Sequence, residues 1–255
     1  PVTVVERDDD AAAAAAARVH GSIDASLSRG TAIETAEAYR SRFATGTDAA
    51  LFSDCTLVIE AVPEELSLKI DALTRVERHL ADDAALASNT SSISIDELAA
   101  VLDRPERFLG MHFFNPVPAS TLVEVVRGGA TAETLVADAA SWVRALGKTP
   151  IVVADAPGFA SSRLGVALGL EAIRMLEDGV ASAADIDAAM TLGYKHPVGP
   201  LRLTDIVGLD VRLGIAEYLA AQLGSRFEPP ALLRRLVAEG HLGRKSGRGF
   251  YEWDD

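Results

Sequence analysis

The side chains best suited to chemistry are His112 and Glu124, which lie in two apolar segments separated by a proline-containing loop. Both lie equally far from Pro118, so two strands that fold back on one another would place them opposite each other. A carboxylate bonded to one ring nitrogen fixes the tautomer of a histidine and stabilises its protonated form. The other nitrogen can then accept a proton from a substrate hydroxyl group. The same spacing would serve a purely structural pair equally well.

These two residues belong to a region in which short β-branched segments alternate with amphipathic ones. The pattern predicts strands over residues 2–6, 56–60, 84–87, 108–113, 122–126 and 151–154. It predicts helices over residues 11–27 with Asp8 as cap, beginning at Pro63, after Ser94 as cap, and over residues 131–146. Strands that alternate with helices are typical of an α/β domain with a mainly parallel sheet.

The pattern changes after Asp155, where Pro157 and Gly158 interrupt the chain. Helices are predicted over residues 159–177, 182–192, 201–223 and 230–239, and no convincing strand follows. The sequence therefore predicts an α/β domain over residues 1–155 and an all-helical domain over residues 156–255.

Composition restricts the partners and the compartment. The 255 residues carry a formal net charge of −13, which repels polyanions, so we expect no nucleic-acid binding. The sequence contains no apolar run long enough to cross a membrane. The single cysteine, Cys55, excludes an intrachain disulfide and favours a reducing, cytoplasmic location. No cluster of histidine, cysteine and carboxylate residues has the spacing of a metal site.

Glu6 follows the first predicted strand, where a dinucleotide-binding fold places the acid that binds the ribose. The glycine-rich phosphate loop of such a fold lies about 20 residues upstream, which here would precede Pro1. Two explanations stay open: the sequence lacks a first strand and phosphate loop, or the protein never had a dinucleotide site. An acid at an exposed strand end is also commonly just a solvated charge.

Several blocks in the same order resemble the L-3-hydroxyacyl-CoA dehydrogenase family, and within it the bacterial 3-hydroxybutyryl-CoA dehydrogenase branch. The blocks are residues 59–64, 88–92, 112–117, 122–125, 157–159, 243–245 and 249–251. The resemblance implies a Rossmann-type domain, here without its first strand and glycine-rich loop, followed by a helical domain. It also implies NAD as cofactor and the oxidation of a short-chain L-3-hydroxyacyl-CoA to the 3-oxoacyl-CoA.

The resemblance also assigns roles to single residues. His112 resembles the catalytic base and Glu124 its orienting partner, while Ser91 resembles a residue that binds the substrate oxygen. Asn115 resembles the residue that supports the histidine loop. The positions that resemble cofactor-binding ones are Glu6, Ala61, Glu64, Lys69 and Asn89. Serine and asparagine also cap turns, so Ser91 and Asn89 have a purely structural alternative.

Two further departures from the family are visible. Ser162 stands where many relatives carry an asparagine, and we expect it to contact substrate. Thr121 replaces the usual lysine before the segment that contains Glu124. The resemblance implies a homodimer through apolar helix faces within residues 164–176 and 201–215. Two alternatives stay open: a same-fold dehydrogenase of 3-hydroxyadipyl-CoA, L-gulonate or carnitine, or a non-catalytic structural remnant.

Overall fold

A computed structural model describes residues 1–253 and divides their strands between two sheets. The strands are β1 (Val2–Val5), β2 (Phe43–Gly46), β3 (Leu57–Glu60), β4 (Ala85–Ser88), β5 (Phe108–Phe113), β6 (Leu122–Arg127) and β7 (Thr149–Ala154). β1 pairs in parallel with β2, and the larger sheet has the order β3-β4-β5-β6-β7. Only the β5–β6 pair among the described strands is antiparallel. The predicted mainly parallel α/β arrangement is therefore confirmed.

The helices of the first half cover the sheets, and their capping residues agree with the sequence pattern. They are α1 (Asp9–Ser28), α2 (Ala36–Arg40), α3 (Leu66–Glu77), α4 (Ile95–Ala99) and α5 (Glu133–Ala145). Asp8 accepts a hydrogen bond from the Ala11 amide at 2.8 Å, as a helix cap does. The prediction that a helix begins at Pro63 was wrong. The Glu65 amide donates to the Pro63 carbonyl in a tight turn, and α3 begins only after it.

The second half is helical, with one break that the sequence pattern did not predict. Its helices are α6 (Ser161–Glu177), α7 (Ala183–Ala188), α8 (Pro200–Val207), α9 (Leu209–Leu223) and α10 (Ala231–Ala238), and a π-helical turn extends α7. The prediction of one continuous helix over residues 201–223 was wrong, because Gly208 has a φ of 105° and separates α8 from α9. Since the last strand ends at Ala154, we keep residue 155 as the proposed domain boundary.

The two halves share part of one hydrophobic core. Phe159, just before α6, is 4% exposed and packs with the buried cluster of the first half, which includes Val58, Ile95 and Val126. Burying a phenylalanine side chain stabilises a fold by about 1.5–3 kcal/mol. This contact holds the start of α6 close to the larger sheet.

Candidate active site

The histidine and the glutamate singled out by the sequence meet across the antiparallel strand pair. His112 of β5 lies directly opposite Glu124 of β6. The histidine Nδ1 is 2.8 Å from the glutamate Oε2, and the side chains are 6% and 0% exposed. The expected meeting across the two strands is therefore what the structure shows. Because Nδ1 faces the carboxylate, Nε2 is the ring nitrogen left for a substrate.

Glu124 is also held by the first residues of α6. Its Oε1 accepts the main-chain amides of Ala160 and Ser161 at 3.1 and 2.9 Å, and its Oε2 accepts the Ser161 hydroxyl at 2.6 Å. Burial raises the pKa of Glu124, but the hydrogen bonds from His112 and Ser161 outweigh it and hold the pKa below its ordinary value. The carboxylate is therefore ionised at neutral pH and fixed beside the ring.

Two aromatic rings enclose the histidine. The Phe114 ring centroid is 4.4 Å from that of His112, and the Phe159 centroid is 6.0 Å away. His112 is 5% exposed, so its surroundings contain little water. In such surroundings the interaction with Glu124 is stronger than it would be at the surface.

The loop that carries Ser91 is held by Glu64. A single oxygen, Oε1, accepts the Thr90 hydroxyl at 2.6 Å and the amides of Ser91 and Ser92 at 2.9 and 3.0 Å. Burial raises the pKa of Glu64, but the hydroxyl and amide donors and nearby Lys69 lower it below its ordinary value. The Ser91 hydroxyl makes no hydrogen bond within residues 1–253, so it is available to a ligand.

Lys69 contacts this glutamate from the interior of the protein. Its side chain is 1% exposed, and Nζ lies 2.9 Å from Glu60 Oε1, 3.1 Å from the Val62 carbonyl and 3.3 Å from Glu64 Oε2. These three acceptors use the donors of the ammonium group. The expected contact of Lys69 with the cofactor stays a prediction. Lys69 joins the end of β3 to the loop of Ser91 through Glu64.

The comparisons with known proteins agree with this geometry. The family model of the 3-hydroxyacyl-CoA dehydrogenase NAD-binding domain matches residues 1–156, and that of the C-terminal domain matches residues 158–253. The chain belongs to the 3-hydroxyacyl-CoA dehydrogenase family.

Similar members of the family include bacterial 3-hydroxybutyryl-CoA dehydrogenases. A probable 3-hydroxybutyryl-CoA dehydrogenase of Bacillus subtilis is 46% identical over 200 residues, which are 78% of this chain and 70% of the relative. The 3-hydroxybutyryl-CoA dehydrogenase of Mycobacterium tuberculosis is 42% identical over 262 residues, covering 99% and 90% of the two chains. The crystal structure of (S)-3-hydroxybutyryl-CoA dehydrogenase from Ralstonia eutropha superposes with a TM-score of 0.94 at 39% identity, covering 100% of this chain and 90% of that one.

Two asparagines of this dehydrogenase differ in what they hold. Asn89 Oδ1 accepts the Phe113 amide at 2.9 Å and so ties the end of β4 to the residue after His112. Asn115 is exposed at the start of the following loop and makes no side-chain hydrogen bond within the described chain. The support expected from Asn115 comes from Lys148, whose Nζ donates to the carbonyls of Val117 and Ser120 at 2.6 and 2.5 Å.

The remaining predicted positions lie at strand ends or at the start of α6. Glu6 is 3.7 Å from Arg18 and lines a cavity of about 490 Å³ beside β1 and α1. No hydrogen bond joins it to the histidine group in the part of the chain that the structure describes. Ala61 is exposed after β3, and Ser162 is half-buried at the second residue of α6. The described residues contain no cluster that could hold a metal ion.

Sequence reasoning missed two residues of this dehydrogenase site, Ser161 and Lys148. Ser161 is the first residue of α6, next to the serine that the sequence did single out. The feature that could have revealed Ser161 is a serine near the start of a predicted helix, since serine hydroxyl groups at helix starts often form hydrogen bonds with nearby polar groups. Lys148 had no such signal, because its contacts with the histidine loop join residues far apart in the chain.

Proposed function

We propose that this dehydrogenase uses NAD to interconvert short-chain L-3-hydroxyacyl-CoA, such as 3-hydroxybutyryl-CoA, and the corresponding 3-oxoacyl-CoA. The observation that carries the proposal is the buried pair of His112 and Glu124, joined at 2.8 Å across β5 and β6. Relatives named 3-hydroxybutyryl-CoA dehydrogenase, which cover most of this chain, support the choice of substrate.

Different residues of the chain have different roles in the oxidation of the alcohol. His112 Nε2 takes the proton of the 3-hydroxyl group while Nδ1–H stays bonded to Glu124. The ionised carboxylate stabilises the imidazolium that forms. The Ser91 hydroxyl binds the substrate oxygen from the β4 loop, and Ser162 contacts substrate from α6. Asn115 is exposed in the loop after β5, three residues beyond His112.

The residues at the carboxyl ends of the parallel strands fit a dinucleotide. Glu6 follows β1 of the smaller sheet, and Ala61 and Asn89 follow β3 and β4 of the larger sheet, so all three come directly after the carboxyl end of a parallel strand, the end at which such folds bind cofactor. A carboxylate at the position of Glu6 accepts from a ribose diol and repels a 2′-phosphate, which favours NAD over NADP. When bound, the nicotinamide supplies the hydride acceptor. Glu64 and Lys69 order the neighbouring loop.

Substitution of the histidine tests the catalytic assignment. We expect His112→Ala to lower kcat by about 10²-fold or more, since general-base catalysis contributes that much. The KM for acyl-CoA should change little, because the base contributes mainly in the transition state. NADH absorbance gives both constants. A variant with near-normal kcat would refute the role of His112.

A substrate series separates the proposal from its alternatives. Initial rates would be compared for 3-hydroxybutyryl-CoA, 3-hydroxyadipyl-CoA, L-gulonate and carnitine at equal NAD. The proposal requires the highest kcat/KM with 3-hydroxybutyryl-CoA. If no rate is found with any of them and NADH fluorescence shows no binding, the protein is a non-catalytic relative instead.

The assembly and location are further parts of the proposal. Five apolar side chains within the helix faces expected to form a dimer are exposed: Leu164, Leu203, Ile206, Val207 and Val211. Exposed apolar patches of this kind mark interaction surfaces, which supports a homodimer.

The single cysteine, Cys55, supports a cytoplasmic location. Within residues 1–253, no helix has both the length and the apolar character of a membrane span.

A further inference from the structure

The carboxylate of Glu124 receives two donors on the same oxygen. Oε2 lies 2.8 Å from His112 Nδ1 and 2.6 Å from the Ser161 hydroxyl oxygen. The histidine and the glutamate come from neighbouring strands, whereas the serine comes from α6 in the other half of the chain. The oxygen that orients the histidine is therefore shared with a residue of the helical half.

The turn before α6 fixes where this serine lies. Gly158 and Phe159 both have positive φ, 73° and 49°. A left-handed conformation is strained for a phenylalanine, costing of the order of one or more kcal/mol, and it persists only where packing enforces it. The buried Phe159 side chain provides that packing. The Ser161 hydroxyl is therefore directed at Glu124 by the fold and not by a flexible loop.

We propose that Ser161 is a positioning residue for the proposed reaction, whose hydroxyl sets how strongly Glu124 stabilises protonated His112. A hydroxyl bonded to Oε2 withdraws negative charge from the oxygen that faces Nδ1. It also keeps Oε2 in line with the ring, which preserves the tautomer that leaves Nε2 as base. The inference rests on the proposed function, because it concerns proton transfer by the same histidine.

No second charge competes for this role within the described residues. β5 contributes His112, and β7 places the apolar Ile151 opposite Glu124. On β6 itself, Arg127 is paired with Glu133 at 2.6 Å. Arg163, on the first turn of α6, makes no ion pair with Glu124. The Ser161 hydroxyl is therefore the one neutral donor that shares Oε2 with the ring.

Loss of the hydroxyl leaves the docking of α6 otherwise intact. Glu124 Oε1 keeps the main-chain amides of residues 160 and 161, and Phe159 keeps its place in the core. Ser161→Ala therefore removes the donor on Oε2 without removing the contacts that join helix and sheet. The variant separates an effect on the histidine from a loss of structure.

The test follows the protonation of His112 in the full-length enzyme. A histidine NMR titration, with the His112 signal assigned by its loss in His112→Gln, should show a pKa higher by about half a unit in Ser161→Ala, because the unshared carboxylate stabilises imidazolium more. In NADH assays, kcat/KM for 3-hydroxybutyryl-CoA at pH 7 should fall by at most about threefold, since a half-unit rise in the pKa of the base lowers its neutral fraction by no more than that factor. Most of that loss should disappear at pH 9, and the KM should stay within about twofold.

Two further variants serve as controls for this result. Ser161→Thr keeps a hydroxyl and should restore both the titration and the rate. Ser182→Ala is the matched control, since the Ser182 hydroxyl also donates to a carboxylate, that of Asp185, at 2.6 Å, but at an exposed helix start. It should leave the His112 titration unchanged. If Ser161→Ala does not fold, Ser161→Cys replaces it, because a thiol is a weak donor.

The outcomes separate this inference from the proposed function. An unshifted His112 titration in Ser161→Ala would overturn the inference while leaving the dehydrogenase in place. A shifted titration in a protein whose wild type oxidises none of the hydroxyacyl substrates supports the coupling and overturns the proposed function. The NMR measurement needs no substrate and therefore decides the first question alone.

Discussion

Two glutamates, the partly exposed Glu64 and the buried Glu124, order the candidate site by the same means. Each gathers hydroxyl and amide donors and one cationic partner, so its pKa lies below the ordinary value although burial opposes this. A carboxylate that is paired in this way acts as a fixed anchor, one for the Ser91 loop and the other for the ring of His112. The reacting groups are therefore ordered before substrate arrives, which lowers the cost of reaching the transition state.

Lys69, which is buried beside Glu64, allows a prediction about stability at the scale of single residues. Lys69→Met removes the cation between Glu60 and Glu64 and leaves a buried carboxylate unpaired, which costs about 3–5 kcal/mol of unfolding free energy. Urea unfolding followed by circular dichroism measures the loss. Lys245→Met is the control, because that lysine pairs with Asp210 at 2.6 Å on the surface. Its loss should cost about 0–1 kcal/mol, and equal losses in both variants would contradict the assignment of Lys69.

At the scale of elements, the antiparallel pair β5–β6 and the start of α6 make the site. An antiparallel register decides which residues face one another, so His112 meets Glu124 without any further adjustment. A slip of one residue in β6 would turn the Glu124 side chain to the opposite face of the sheet from His112. α6 then closes the arrangement, since its first residues supply the remaining donors to the carboxylate.

The break between α8 and α9 is a second feature of the elements, and it depends on one glycine. Gly208 has a φ of 105°, and a Cβ there would lie 3.0 Å from Asp210 Oδ1. Gly208→Ala should therefore lower the unfolding free energy by about 1–3 kcal/mol. Gly214→Ala, within α9 and with open space around it, should raise it by about 0.5–1 kcal/mol. Thermal unfolding of both variants checks the pair, and a Gly208→Ala variant as stable as the wild type would show that Gly208 imposes no special conformation.

At the scale of the molecule, the proposed active site lies where the two halves meet. Phe159 belongs to the core of the first half, and the first turn of α6 bonds Glu124. On α9, burial and the negative charges of Asp155, Glu97 and Glu64 in the first half raise the pKa of Tyr218. Ligand sites are common at such junctions, where two surfaces can enclose a substrate.

The exposed apolar face of the helical half gives a prediction at this scale. Ile206 is 45% exposed on α8, and Ile206→Glu should convert a dimer of the wild-type protein into a monomer, because a buried unpaired charge opposes association. Sedimentation velocity at micromolar concentration distinguishes the two. Ile33→Glu is the control, since Ile33 is 92% exposed and lies outside this face. A wild-type protein that sediments as a monomer would remove the basis for the proposed dimer.

Much of the fold follows from local patterns in the sequence. β5 has the predicted bounds, and the other predicted strands differ by a few residues at most, because β-branched runs and capping residues report local geometry. The short α2 and β2 were not predicted, since five and four residues carry too little pattern. The break at Gly208 was also missed, because a glycine inside an apolar helical pattern does not by itself show a positive φ.

The sequence by itself determined that a histidine and a glutamate would meet, because their spacing about one loop and the pairing of adjacent strands leave little freedom. Only the tertiary structure decided that the Ser161 hydroxyl bonds the same Glu124 oxygen as His112 and that Lys69 is buried beside Glu64. Those contacts join segments that come together when α6 and α3 pack on the sheet. Packing between distant segments depends on the whole core, which no local spacing records.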